Sequence, residues 1–207
     1  DNLSSLEFVY KPNLNNVGVI AALYKINKIG YDFQFFGANY YDQDFALGGG
    51  WAGNIRNAGF KGEVSYFVTK NPIPDDNSFS LSTSFDYSFK NGIYILGSYL
   101  FNSKGVSNSN IFNLGAINEN VLSPKNLMPS KNSYMIQTSK PISPAINSSL
   151  TFLYGQGINF LYISPNISYD INSDFDLNFI GQLFYADVNG NFKSIMNGIY
   201  LQLRYSF

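Results

Sequence analysis

The sequence has 207 residues, a length that suits one domain spanning 1–207. Charged residues make up 13%, against about 25% in soluble globular proteins, while aromatics reach 17% and the net charge is −1. So few charges cannot coat a surface that faces water on every side. The balance also lacks the basic footprint of a nucleic-acid partner. With no Cys and no His, disulfide frameworks, the usual zinc sites and Ser-His or Cys-His catalysis drop out.

The chain opens at Asp1 in a polar stretch, DNLSSLEF, as expected of a mature form or of a segment of a longer protein. Its longest apolar run, Val17 to Tyr24, is far below the roughly 18 residues of a spanning helix. A membrane protein built from this chain must therefore cross with strands, because in lipid only helices and closed barrels satisfy every backbone group.

The dominant period is two, the signature of strands with two chemically different faces. The pattern predicts strands over 5–11, 16–26, 31–41, 44–55, 58–70 and 77–90, then 92–103, 132–141, 145–155, 159–171, 174–187 and 194–207. The first two carry the weakest pattern. In 77–90 the residues Phe79, Leu81, Thr83, Phe85, Tyr87 and Phe89 alternate with Ser80, Ser82, Ser84, Asp86, Ser88 and Lys90. The glycines Gly48, Gly49, Gly50 and Gly53 fall inside a strand, where they signal curvature or close approach of a side chain to backbone. Neither a following helix nor a Lys-Ser/Thr makes them a phosphate loop. Pro165 lies inside the tenth strand and must cost one ladder bond, so a bulge or an edge position is expected there.

The joints give a second test, since transmembrane barrels alternate short turns with longer outer loops. With the C-terminus at the short-turn end, the joints at Ile26–Gly30, Ile55–Asn57, Asn91-Gly92, Lys140–Ala145 and Ile171–Asp174 fall together, and all are short. The long Asn102–Asn132 segment and Asn71–Asn77 (NPIPDDN) both fall at the other end. Asp42, Asp44, Asp75 and Asp76 lie on that end and could in principle gather a calcium ion, but the expectation is solvated loop carboxylates, with no cofactor or metal.

A soluble sandwich or a lipocalin-like barrel alternates too, with its apolar set inside. Here the polar set is Ser, Asn, Gln and Gly with occasional charges, and the apolar set is bulky and aromatic. That favours apolar-out. The inward set is expected to include Glu7, Lys61, Glu63, Asp86, Asp176, Gln202 and Arg204 as lumen-lining candidates. Both signs are present, so they can set a transverse field in a channel or pair with one another in a filled interior. No carboxylate pair is marked as acid and base, and an enzyme is not expected.

The C-terminal segment IYLQLRYSF resembles the terminal signature of bacterial outer-membrane β-barrels, with Ile199, Leu201, Leu203, Tyr205 and Phe207 filling its alternate positions. The resemblance implies recognition by the barrel-assembly machinery and a place in a Gram-negative outer membrane, against its lipid. The stretches GGGWAGNIRNAGFKGEVSYF (48–67), FDYSFKNGIYILGSYLFNSKG (85–105) and ISPNISYDIN (163–172) resemble the C-terminal parts of porin-like proteins from Bacteroidota. Those relatives are longer, so the chain is expected to be an up-and-down transmembrane barrel of about 12 strands or the C-terminal part of a larger one. The implied function is passive transport of small hydrophilic solutes. The alternative is a non-conducting barrel that serves as scaffold or partner subunit of an envelope or secretion complex.

Overall fold

A computed structural model describes residues 3–13, 18–70, 76–107, 123–188 and 190–206. The chain is all-β: a single 12-stranded sheet in which each strand pairs antiparallel with the next in sequence. The strands are β1 (Ser4–Lys11), β2 (Val19–Lys28), β3 (Tyr31–Tyr40), β4 (Asp44–Ile55), β5 (Ala58–Thr69), β6 (Ser78–Ser88), β7 (Tyr94–Asn102), β8 (Asn132–Ser143), β9 (Ile146–Gln156), β10 (Phe160–Asp170), β11 (Phe175–Val188) and β12 (Asn191–Tyr205). All twelve correspond to strands expected from the alternation. Most ends fall within two or three residues of expectation, whereas β12 begins earlier, because Asn191 already pairs with Val188. Residues 16 and 17 of the expected second strand, and Phe207, lie outside the described residues.

Cross-strand partners share a face of a sheet, so the register sorts the side chains. One row runs Ser5, Lys25, Gln34, Gly50, Glu63, Ser82, Leu100, Ser133, Gly155, Phe160, Ala186, Lys193. It starts at the short-turn end of β1 and finishes at the opposite end of β12. Such a climb is the stagger that tilts strands in a barrel wall. β1 and β12 are the two free edges of the sheet, with no ladder joining them among the described residues.

The faces are inverted relative to a soluble protein. Phe35 is 53% exposed, Leu47 59% and Leu201 70%, and all three belong to the apolar face. The largest fully buried side chains among the described residues are polar, Asn102, Ser78 and Ser130. The bulky apolar set thus stands exposed on one face of the sheet, and the single twelve-stranded sheet is not a two-sheet sandwich.

Turn chemistry fixes the hairpins. Between β2 and β3, Ile29 (φ 56°) and Gly30 (φ 75°) are both left-handed, the arrangement of a tight two-residue type I′ turn. The glycine cluster meets cross-strand rings: a Cβ at Gly48 would lie 2.2 Å from the Phe36 ring, and one at Gly53 2.3 Å from Tyr31. Pro165 departs from expectation. It sits in a central strand, paired in unbroken register with β9, while the ladder to β11 skips Ser164 and Pro165 without a register shift. No bulge is needed because Gly181, opposite, has no side chain to meet the pyrrolidine ring, and Ser164 Oγ donates to the Gly181 carbonyl at 3.0 Å.

Candidate functional site

The register places all seven lumen-lining candidates on the polar face. Glu7 follows from its partner Leu23, next along β2 from Lys25 on that face. Lys61 and Glu63 lie two apart on β5, Asp86 pairs with Gly59, Asp176 with Arg204, and Asn178 with Gln202. Partners on adjacent strands bring several of them together. Lys25 Nζ meets Glu7 Oε1 at 2.7 Å, Lys61 Nζ meets Asp86 Oδ1 at 3.7 Å, and Arg204 grips Asp176 through Nε at 2.8 Å and through a second nitrogen. Asp86 lies against Gly59, where any Cβ would collide with the carboxylate. These are mostly exposed pairs, each worth about 0–1 kcal/mol. Their consequence is electrostatic: opposite charges are neutralised along the wall instead of standing in opposed blocks.

Lys25 was not among the expected residues, although it sits in the same row as Glu63. Its signal was available, since Lys25 alternates with the apolar Tyr24 and Ile26. A hollow of about 970 Å³ lies on this face, lined among others by Lys25, Asp32, Gln34, Lys61, Glu63 and Leu127. The alternation did not reveal Leu127, because it belongs to the Asn102–Asn132 segment, which no strand pattern claims.

The described end of that segment, from Ser123 to Lys131, folds over the polar face at the long-loop end. Asn102, fully buried, donates through Nδ2 to Asn126 Oδ1 and to the Met128 carbonyl, both at 2.6 Å. Ser78 Oγ donates to the Lys125 carbonyl. The backbone joins in, with the Val106 amide donating to the Pro129 carbonyl and the Lys131 amide to the Val106 carbonyl. Lys125 Nζ then reaches Asp44 Oδ1 at 2.9 Å and Asp76 Oδ2 at 3.4 Å, while Thr69 Oγ1 donates to Asp44 at 2.8 Å. Lys104 Nζ meets the other carboxylate oxygen of Asp76, Oδ1, at 3.6 Å.

This overturns part of the expectation for the loop carboxylates. Asp44 is only 3% exposed: it opens β4, faces inward and is covered by the lysine. Asp42 does sit on an exposed turn, paired with Lys70; Asp75 lies outside the described residues. Hydrogen bonding from Thr69, aided by Lys125 and Lys104, holds the Asp76 carboxyl below its ordinary range. Burial alone pulls Lys125 down, but its bonds to Asp44 and Asp76 outweigh that and raise its pKa. Among the described residues no three potential metal ligands converge. Two lysines already neutralise the acidic pair, so the cluster works as an ionic clasp on the segment. No family model matches this chain, and no curated protein matches it either.

Proposed function

We propose that this chain forms the wall of a porin-like β-barrel in a bacterial outer membrane and lets small hydrophilic solutes cross by diffusion. The observation that carries the reading is the inversion of its faces. Large apolar side chains point outward and a Ser-, Gly- and charge-bearing face points toward the hollow, the arrangement that suits lipid outside and water inside. The stagger across the sheet supports a tilted wall. The folded-in Ser123–Lys131 segment narrows the polar side, with Leu127 at its tip. Charges paired along the wall leave a weak transverse field, which favours modest ion selectivity. No residue is assigned a catalytic role.

The terminal alternation Ile199, Leu201, Leu203 and Tyr205 supports delivery of β12 to the barrel-assembly machinery; all four are exposed on one face. Solute uptake by vesicles containing the purified protein tests the reading. Swelling in small sugars that slows with sugar size supports a diffusion pore, and vesicles no leakier than empty ones refute it.

One observation favours a second reading, a scaffold or partner subunit of an envelope or secretion complex. β1 and β12 present unpaired edges with side chains exposed on both faces, such as Phe8, Val9, Tyr200 and Leu201, and unpaired edges recruit strands from partners.

A further inference from the structure

The outer face carries a groove that the apolar belt alone does not explain. It encloses about 600 Å³ and is walled by Phe85, Tyr87 and Phe89 on one side and by Tyr99, Tyr134 and Ile136 on the other. Its floor is Gly97, where a Cβ would meet nothing within 4 Å. Aromatic pairs stand at both ends: Tyr87 against Phe89 at the short-turn rim, with ring centroids 4.7 Å apart, and Tyr99 against Tyr134 deeper in, at 5.3 Å. From Phe89 to Thr83 the wall extends about 20 Å at ~3.3 Å per residue. With strands tilted by roughly 40°, that is a depth of about 15 Å, half of a ~30 Å hydrocarbon core. The groove therefore matches one leaflet.

The rim above it is cationic. Four successive short turns each bring one exposed basic residue: Lys28 at the end of β2, Arg56 between β4 and β5, Lys90 between β6 and β7, and Lys140 near the end of β8. None of the four has an ion-pair partner among the described residues. By alternation, Lys140 continues the outward row of Ile136 and Thr138 directly from the groove wall, whereas Lys90 falls beyond the last ladder pair of β6, in the turn closed by the Gly92 amide on the Phe89 carbonyl, where the inward alternation of Asp86 and Ser88 no longer applies. The nearest acidic residues on the polar side are engaged, Asp86 with Lys61 and Asp176 with Arg204. The remaining acids at this end among the described residues are Asp32, at the start of β3, which accepts from Asn27 Nδ2 at 2.7 Å, and Asp170 and Asp174 of the β10–β11 hairpin.

We propose that the groove over Gly97 seats one acyl chain of an anionic phospholipid in the leaflet at the short-turn end, with its phosphate held by Lys90 and Lys140. The assignment rests on the membrane reading above and adds a defined lipid site to it. Apolar walls supply affinity for the chain in proportion to the area removed from competing lipid or water. The two unpaired ammonium groups supply the preference for an anionic headgroup at the surface. Lys28 and Arg56 extend the same attraction along the rim.

The test extracts the protein from vesicles of equal phosphatidylglycerol and phosphatidylcholine and measures by mass spectrometry the lipid retained per chain. Wild type is expected to retain phosphatidylglycerol in preference to phosphatidylcholine. K90E/K140E should lose that preference by about 25-fold, roughly fivefold per lysine, while still retaining lipid. G97L, whose side chain enters open space, should fold normally and retain several-fold less of either lipid. Equal retention of the two lipids by wild type would overturn the headgroup assignment, and unchanged retention by G97L would overturn the groove. Flotation of the same proteoliposomes is read in parallel. A chain that floats but retains no lipid refutes only the groove, whereas a chain that does not float refutes the membrane reading itself.

Discussion

Replacing Lys125 by Met removes the ammonium that bridges Asp44 and Asp76 while keeping most of the side-chain length. Asp44 then stays beneath the segment with the Thr69 hydroxyl as its remaining polar partner. Stranding one member of a buried pair costs about 3–5 kcal/mol. Asp76 is half-open to solvent and Thr69 still donates, so about 2–3 kcal/mol is expected here, in the range of a hydrogen bond to a charged group. That loss falls on docking of Ser123–Lys131 and leaves the twelve-strand ladder intact. Hydrogen exchange reads it directly, at the amides of Asn102, Val106 and Lys131 that bond across the segment. Their protection should fall by about 30- to 150-fold, the equivalent of 2–3 kcal/mol, while amides of β10 and β11 stay protected. Pairing K125M with D44N should restore part of the loss, because no bare carboxylate is then buried. Unchanged protection at Val106 and Lys131 in K125M would refute the clasp.

The pH dependence of the same clasp follows from its two shifted groups. Asp76 is held below its ordinary value of 3.8, so its contribution is present above that value and is lost as pH falls through the lower folded pKa; Lys125 is raised above 10.5, so its contribution is present below 10.5 and is lost above the raised value. Protection of the segment should be flat through neutral pH and fall at both extremes, and a transition near pH 7 would contradict this. Phe35→Lys places a charge on the outward face of β3 and should cost about 2–4 kcal/mol of stability in lipid, whereas Gln34→Lys, its inward neighbour, should cost little; urea titration of vesicle-folded protein separates them. Ile29 carries a branched side chain at positive φ, and Ile29→Asn should stabilise the β2–β3 turn by about 1 kcal/mol, seen as a higher unfolding midpoint in the same titration. Phe207→Ser should lower the amount of barrel reaching the outer membrane, by fractionation, and unchanged levels would count against the terminal signature.

The alternation made the strands legible because its two periods of information coincide: where Phe79 and Leu81 point outward, Ser80 and Ser82 must point inward, and a slip of one residue would reverse both. The same logic placed Glu7, Lys61, Glu63, Asp86, Asp176, Gln202 and Arg204 on one face. What alternation does not carry is which neighbour each charge finds, since that depends on the register between adjacent strands, which a period of two leaves open. Glu7 meets Lys25 across the β1–β2 hairpin and Arg204 meets Asp176 across β11–β12. The clasp was illegible for a different reason. Lys125, Asn126 and Leu127 lie in a stretch without periodicity, and their role comes from a fold-back onto Asp44, 81 residues away in the chain. Pro165 looked like a bulge because the residue that accommodates it, Gly181, sits on the next strand.

The most direct test of the central claim is single-channel recording of the purified protein in a planar bilayer. A porin-like wall with a clasped inner segment predicts discrete conductance steps with weak ion selectivity, and larger steps for K125M, whose segment is released. A bilayer that stays silent with both proteins, while the protein floats with lipid, would contradict the pore and leave the scaffold reading in its place.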